Sequence, residues 1–195
     1  MNVKRVGIVG AGPGGLAAIK ACLEEGLEPT AFEREEELGG VWVYRDVDKM
    51  RYPETAAVYK CLKTNTSKAF FGFTDFPSPA EWPPFVSHDK VLKYLENYAI
   101  HFGLSKYIRF QSEVVKLSPV DDYETTGRWR LRYLSLGKEH EEIFDAVIIC
   151  SGFYSKPNFP QYPGLELFKG DVIPGNTYRE NTKFADKKVL VVGKY

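Results

Sequence analysis

Residues 6–15 read Val-Gly-Ile-Val-Gly-Ala-Gly-Pro-Gly-Gly, a short apolar run that ends in a cluster of glycines. Apolar residues then recur at helical spacing over 16–23 and stop at a glycine, as expected for a helix that buries one face. Residues 28–33 resume an extended pattern and end in the acidic residue Glu33. Strand, tight turn, helix and second strand in this order predict one βαβ unit over residues 4–33.

The glycines have the spacing G-x-G-x-x-G, which suits a dinucleotide. Gly10 permits a sharp turn, Gly12 lets the backbone approach a pyrophosphate, and Gly15 allows the helix to pack closely on the strand. The helix N-terminus supplies free N–H groups and a positive dipole for the phosphates. We therefore expect this loop to bind the cofactor through Gly10, Ala11, Gly12, Pro13, Gly14 and Gly15.

The acidic end of the second strand narrows the choice of dinucleotide. The Glu33 carboxylate is placed to accept hydrogen bonds from an adenosine ribose, and it would repel a 2′-phosphate. NADP is therefore disfavoured at this site, whereas FAD and NAD both remain possible. The following stretch favours FAD, because a glycine pair comes after five intervening residues, as in the second contact region of FAD-binding proteins. The expected cofactor contacts in this stretch are Glu33, Arg34, Gly39, Gly40, Val41 and Trp42.

Several motifs together resemble the flavin-containing monooxygenases. The two glycine stretches and residues 22–29, Cys-Leu-Glu-Glu-Gly-Leu-Glu-Pro, occur in that family's order and spacing. Residues 63–68, Lys-Thr-Asn-Thr-Ser-Lys, are similar to its T-N-x-S-K segment, and residues 73–79 are similar to its D-F-P-x-P loop. The resemblance implies an α/β, Rossmann-like FAD-binding fold with a parallel sheet and an inserted β-meander.

The resemblance also implies a catalytic residue. Asn65 would lie beside the reactive edge of the flavin, where its amide is placed to hydrogen-bond a peroxy group or the nicotinamide, with Thr64 and Thr66 also contacting the cofactor. From residue types alone, Asn65 is equally a turn residue, because Thr, Asn and Ser clusters favour turns. His88 and His101 flank a predicted helix without an evident acid–base partner, and we assign neither a catalytic role.

The implied reaction uses FAD and NADPH. NADPH reduces the flavin, O₂ adds to it to give a 4a-hydroperoxide, and one oxygen atom passes to the soft nitrogen or sulfur of a small amine or thioether. Such chemistry requires few acidic or basic side chains, because the cofactor performs the difficult steps. No metal ligands are expected.

The domain prediction divides the chain in three. Residues 1–156 form the FAD-binding domain, with the inserted β-meander at about 107–143. Residues 157–186 form a linker in which Phe168, Gly170 and Tyr178 match the family's F-x-G-x-x-x-H-x-x-x-Y signature, although Pro174 replaces the histidine. Residues 187–195 resemble the first strand and first glycine of a second nucleotide-binding unit, so we expect the NADPH site to be missing here and residues 189–192 to lie on an incompletely covered edge.

Three other functions are alternatives to an amine or thioether monooxygenase. A non-catalytic FAD-binding fragment remains possible, as does a Baeyer–Villiger-type monooxygenase, although that signature ends in Trp where this chain has Tyr178. A flavin disulfide reductase would carry a redox cysteine pair soon after the glycine pair. Residues 41–60 contain no cysteine, so this function is disfavoured.

Composition sets broader limits. The chain has 195 residues, 44% of them hydrophobic, which suits one large core rather than two complete nucleotide-binding domains. Its 26 basic and 26 acidic residues balance, so no nucleic-acid partner is indicated. The three cysteines lack metal-ligand spacing and fit a reducing compartment. We find no signal peptide, membrane span or membrane contact in the sequence, and expect the cytoplasm or the cytosolic face of the endoplasmic reticulum. The oligomeric state stays open.

Overall fold

A computed structural model describes residues 4–53, 55–154 and 156–193. Its central element is a parallel sheet of four strands in the order β3-β2-β1-β7. The strands are β1 (Arg5–Val9), β2 (Glu28–Phe32), β3 (Ile108–Arg109) and β7 (Ala146–Ile149). Helix α1 (Pro13–Glu24) connects β1 to β2, and these three elements occupy the residues predicted to form the βαβ unit.

Two helices cover one face of the parallel sheet. Val6 and Ile8 of β1 point toward α1, whose Leu16 and Ile19 are fully buried. Beside α1 lies α3 (His88–His101), which contributes Tyr94, Leu95 and Tyr98 to the same apolar cluster. Each of these side chains stabilises the fold by about 1.5–3 kcal/mol on burial, so this layer supplies much of the core.

An antiparallel sheet covers the opposite face. It consists of β4 (Ser112–Pro119), β5 (Trp129–Ser135) and β6 (Lys138–Phe144) in sequential order. Phe144 and Leu131 pack with Phe32 of the parallel sheet, and the Phe144 ring lies 3.0 Å from where a Cβ atom at Gly7 would be. The alternation of side chains along β1 therefore directs one set to the helices and the other to this second sheet.

The inserted sheet begins later than the predicted residue 107. Ile108 and Arg109 pair in parallel with Ala31 and Phe32, so they belong to the central sheet, and the antiparallel strands cover 112–144. Alternation of apolar and polar residues was the only signal over 107–117, and it does not reveal which neighbour a strand pairs with. Ile108 is buried on the helix side, which explains its separate partner.

The remaining elements are short. Helices α2 (Lys68–Phe71) and α4 (Tyr123–Thr126) have a single turn each, and residues 157–187 contain three isolated 3₁₀ turns. The described residues 188–193 form no strand, and Val189 to Val192 are between 58% and 88% exposed. That residues 187–195 begin a second nucleotide-binding unit stays a prediction. Lys194 and Tyr195 lie outside the described residues. None of the described helices has the length and apolar character needed to cross a membrane.

Candidate cofactor-binding site

The glycine turn after β1, residues 10–12, leaves no room for a side chain at Gly10, and the start of α1 leaves none at Gly15. Gly10 has a φ of +98°, and its N–H donates to the Phe32 carbonyl at 2.8 Å. A Cβ atom at Gly10 would lie 2.7 Å from the Cys150 carbonyl oxygen, and one at Gly15 would lie 2.0 Å from the Gly10 carbonyl oxygen. The turn and the start of α1 are therefore in backbone contact, which only glycine permits.

The N-terminus of α1 is free of side-chain caps. Gly12 occupies the N-cap in an extended conformation, and Pro13 is the first helical residue. The first turn of this 12-residue helix contains no acidic side chain. Its N–H groups therefore lack the usual competing carboxylate or hydroxyl, which suits them to binding a phosphate.

Glu33 follows β2 and is buried beneath the glycine turn. Its carboxylate accepts the Ala11 N–H at 2.7 Å and the Glu35 N–H at 3.0 Å. Its own N–H donates to the Arg109 carbonyl at 2.9 Å. Because each carboxylate oxygen can accept a second hydrogen bond, a ribose hydroxyl can still be bound there. The internal role of Glu33 was not anticipated from the sequence, which gives no indication that two backbone N–H groups converge on this side chain.

The glycine pair packs directly against the glycine turn. The Gly39 N–H donates to the Ala11 carbonyl at 3.0 Å. A Cβ atom at Gly40 would lie 3.2 Å from Gly12 Cα, and one at Gly39, which has a φ of +120°, would clash with Leu92. The structure thus brings together the two stretches that the sequence predicted to hold one cofactor, through contacts between their backbones.

The other residues of this second stretch surround the pair. Val41 is exposed, and the half-buried Trp42 packs edge-on against Phe71, with ring centroids 6.3 Å apart. The Arg34 guanidinium lies 4.3 Å from the centroid of the Tyr52 ring. Tyr52 was not predicted from the sequence, because a cation–π partner 18 residues away leaves no local pattern.

A cleft of about 720 Å³ opens beside Arg34. Its walls come from the loop after β2 and from the turn between β5 and β6, and its charged side chains are largely paired with one another. The cleft continues the predicted site beyond the Glu33 end. The side chains lining it include Arg34, Arg45, Asp46, Arg51, Gln111 and Leu134.

The segment that contains Asn65 forms an exposed turn. Thr64 is buried and exchanges two hydrogen bonds with Val86, whereas Asn65 and Thr66 are exposed. The Thr66 hydroxyl donates to the Asn65 side-chain oxygen at 3.4 Å. Helix α2 follows directly, and its Phe71 is the residue that packs on Trp42. The turn is thereby linked to the glycine pair through α2.

A cysteine missed by the sequence analysis lies below the glycine turn. Cys150 follows β7, and its Sγ atom lies 3.7 Å from where a Cβ atom at Gly14 would be. Burial raises the pKa of this thiol, so it is held in the neutral form and acts as a packing residue. The described residues contain no cluster of His, Cys, Asp and Glu that could hold a metal ion.

His88, His101 and the signature segment, residues 168–178, contact residues outside the glycine turn. His88 stacks on Tyr44, with centroids 5.8 Å apart, and His101 packs against Phe76. Pro174 precedes a 3₁₀ turn and accepts the Thr177 hydroxyl hydrogen bond. Tyr178 packs against Tyr59, with centroids 5.3 Å apart.

Comparison with known proteins agrees with this geometry. Residues 3–194 match the family described as flavin-binding monooxygenase-like, so the chain belongs to that family. It is 44% identical to flavin-containing monooxygenase 1 of Canis lupus familiaris, over 97% of this chain and 36% of that protein. It is 41% identical to dimethylaniline monooxygenase (N-oxide-forming) 2 of Pan troglodytes, over 97% of this chain and 35% of that protein. The chain therefore spans about a third of the length of these relatives.

A solved structure supports the fold assignment. S-allyl-L-cysteine S-oxygenase from Allium sativum superimposes with a TM-score of 0.82 and 31% identity, over 93% of this chain and 44% of that one. The predicted α/β, Rossmann-like FAD-binding fold is thus confirmed.

Proposed function

We propose that this chain provides the FAD-binding part of an NADPH-using monooxygenase. The observation that carries the proposal is the backbone contact between the glycine turn and the glycine pair, next to an uncapped helix N-terminus. We call this arrangement of the glycine turn, the glycine pair and the N-terminus of α1 the cradle. The cradle admits a diphosphate, and the Glu33 carboxylate at its far end suits an adenosine ribose.

Each part of the cradle has a proposed role. The first-turn N–H groups of α1 bind the diphosphate, Glu33 accepts a ribose hydroxyl, and Arg34 borders the adenosine end. Gly39 and Gly40 let the chain pass close to the cofactor, and Trp42 shields it from water. FAD, when bound, supplies the reaction with O₂ that side chains cannot perform.

Asn65 is the proposed catalytic residue. Its side chain is exposed on a turn fixed by the buried Thr64, so its amide is available to donate a hydrogen bond to an oxygen atom at the flavin edge. Thr64 and Thr66 are proposed to contact the cofactor beside it. An amide can donate without changing its protonation state, which suits a reaction in which the cofactor carries the charge changes.

The proposed substrates are O₂ and a small amine or thioether. One relative is named for N-oxide formation on dimethylaniline and a structural neighbour for S-oxygenation of S-allyl-L-cysteine. Both are soft nucleophiles, and we extend that class to this chain. The three free cysteines support a reducing location, either the cytoplasm or the cytosolic face of the endoplasmic reticulum.

A flavin-binding role without turnover is the second candidate. Pro174 stands where the family signature has histidine, and proline has neither an imidazole nor a backbone N–H. The chain also spans only about a third of its relatives. Pro174 is compatible with FAD binding, and it weakens the case for NADPH oxidation.

Flavin binding is tested by gel filtration of the chain after incubation with FAD. We expect flavin absorbance to co-elute with wild-type protein and with Gly175→Ala, where a Cβ atom meets no other atom. In Gly12→Ala the new Cβ lies 3.6 Å from Gly40 Cα, so the chain folds, but the methyl group narrows the cradle and flavin is lost. Folded wild-type protein that elutes without flavin would refute the FAD proposal.

Turnover is measured separately as NADPH consumption with dimethylaniline, a thioether or cyclohexanone, alongside a full-length relative. N- or S-oxide formation that falls at least tenfold in Asn65→Ala, with FAD still bound, supports the monooxygenase. FAD binding without NADPH consumption supports the second candidate, and lactone formation from the ketone indicates a Baeyer–Villiger enzyme.

A further inference from the structure

The side chain of Lys68 ends among three backbone carbonyl groups. Its Nζ atom donates to the Pro79 carbonyl at 3.4 Å and also to the carbonyls of Ala80 and Trp82. An ammonium group has three N–H donors and no acceptor, so three converging carbonyls satisfy it completely. Among the described residues no carboxylate forms an ion pair with Lys68, and the carbonyl dipoles are its counter-charge.

A second group of contacts holds the same two segments together. The backbone N–H of Lys68 donates to the Pro84 carbonyl at 2.7 Å. On the other side of the turn, the Thr64 N–H donates to the Val86 carbonyl at 2.8 Å, and the Val86 N–H donates to the Thr64 hydroxyl at 3.0 Å. Residues 64 and 68 are therefore both hydrogen-bonded to residues 79–86. Asn65 lies between residues 64 and 68 in the chain.

The hydrogen bonds between Thr64 and Val86 are buried, whereas most of the hydrogen bonds of Lys68 come from the end of its long side chain. Four bonds join Lys68 to residues 79–84, and three of them come from its ammonium group. Hydrogen bonds to charged groups are stronger than those between neutral groups. Without the ammonium, Lys68 would keep one hydrogen bond to residues 79–84, from its backbone N–H to the Pro84 carbonyl.

We infer that Lys68 is the positioning residue for Asn65: its ammonium, bound by the carbonyls of Pro79, Ala80 and Trp82, fixes the turn that presents the Asn65 amide. The functional part of this inference rests on the proposed role of Asn65. The mechanical part concerns the turn alone and holds whether or not FAD is bound. Lys68 acts through the backbone and does not itself touch the reacting atoms.

The mechanical part is tested by amide hydrogen exchange in the cofactor-free chain. In Lys68→Met, the long apolar side chain cannot bind the carbonyls. We expect exchange of the amides of residues 68 and 70, which donate to the Pro84 and Ser67 carbonyls, to accelerate about 10- to 100-fold. Lys93→Met is the matched control, because Lys93 is exposed on α3 and has a single ion pair, to Glu96. Exchange in β1 and α3 should be unchanged in both variants.

Lys68→Arg separates charge from geometry and serves if the Met variant fails to fold. The planar guanidinium keeps the charge but cannot direct its N–H groups to three converging oxygens. Exchange of the amides of residues 68 and 70 should therefore still rise. Wild-type exchange in either Lys68 variant, or acceleration spread equally over the whole chain, would overturn the inference.

The functional part of the inference is tested by the absorbance spectrum of bound flavin. With FAD bound, Lys68→Met should alter the flavin absorbance spectrum in the way that Asn65→Ala does, whereas Lys93→Met should not. Faster exchange with an unaltered flavin spectrum would show that the turn is fixed by Lys68 but that its position is irrelevant to the cofactor. If wild-type chain binds no FAD, the proposed function fails, and the exchange experiment still decides whether Lys68 fixes the turn.

Discussion

The Glu33 carboxylate accepts a hydrogen bond from the Ala11 N–H at 2.7 Å, and the bond is buried. Its second oxygen accepts the Glu35 N–H at 3.0 Å. The end of β2, the glycine turn and the following loop are therefore joined through one side chain. Because the Ala11 carbonyl in turn accepts the Gly39 N–H, the contact extends to the glycine pair. Glu33 thus shapes the cradle before any ligand enters.

Glu33→Gln should destabilise the chain and weaken flavin binding. A glutamine has one acceptor oxygen, so its NH₂ group must face one of the two backbone N–H donors. We expect the free energy of unfolding to fall by about 1.5–3 kcal/mol, as for the loss of a buried hydrogen bond to a charged group. Urea denaturation measures the change. Glu36→Gln, on the exposed part of the same loop, should have little effect, and equal effects of both substitutions would contradict this role for Glu33.

Gly15→Ala should destabilise the fold severely. The added Cβ would lie 2.0 Å from the Gly10 carbonyl oxygen, so α1 must move away from the turn, at a cost of about 3 kcal/mol or more. Gly14→Ala is the matched control in the same helix, since its Cβ would be 3.7 Å from the Cys150 sulfur. We expect this control to be neutral or stabilised by up to about 1 kcal/mol, because alanine favours helix. Thermal unfolding of the two variants distinguishes them.

Arg179→Met should release the segment around residue 179 without unfolding the sheets. The buried guanidinium donates to the carbonyls of Arg45 (2.8 Å), Asn176 (2.7 Å) and Tyr178 (2.9 Å). Removal of these donors leaves carbonyl groups unpaired and should cost about 2–4 kcal/mol locally. Limited proteolysis should then cut near residues 174–184 at a lower protease concentration. The exposed Lys183→Met provides the control, and an unchanged cleavage pattern in Arg179→Met would count against the prediction.

Asp145 should contribute to the acid sensitivity of the fold. Backbone N–H groups of Arg5 and Lys4 donate to its carboxylate at 2.8 and 3.0 Å and lower its pKa from the ordinary value of 3.8. A pKa depressed in the folded state gives stability that is complete above about pH 4 and is lost as the pH falls through the folded value. Solvent screens this carboxylate, so the contribution is below about 1 kcal/mol.

Comparison of stability at pH 7 and pH 3 tests this contribution of Asp145. Asp145→Asn should reduce stability at pH 7 and leave a smaller difference between the two pH values. Asp121→Asn serves as the control, because the Asp121 side chain is 98% exposed. A pH dependence unaltered by Asp145→Asn would exclude this contribution.

The sequence predicted the elements whose signals are local. The βαβ unit follows from glycine spacing and helical periodicity, and α3 follows from apolar residues at helical spacing after Ser87. Contacts between distant segments were missed. Ile108 pairs with Ala31 rather than with the inserted sheet, and the local sequence at neither residue indicates this pairing.

The candidate site shows the same division. The two glycine stretches were singled out by their spacing, which is a local signal, although the atoms that exclude a Cβ at Gly10 and Gly39 belong to the distant residues Cys150 and Leu92. The bonds from Ala11 and Glu35 to Glu33, and the stacking of Arg34 on Tyr52, depend on how loops approach one another in three dimensions. The apolar run after residue 187 forms no strand in the described residues 188–193, because an apolar run specifies a strand only where a neighbour can pair with it.

The position of β7 at the margin of the parallel sheet affects the solubility of these 195 residues by themselves. Among the described strands, β7 pairs only with β1. Its last residue, Ile149, is 67% exposed, and Phe153, four residues further along the chain, is 98% exposed. Unpaired backbone groups next to apolar side chains attract any extended peptide. With a formal net charge of zero, copies of the chain do not repel one another. In solutions of these 195 residues alone, this strand edge should therefore limit solubility, and charged side chains placed along it should raise solubility more than charges added elsewhere.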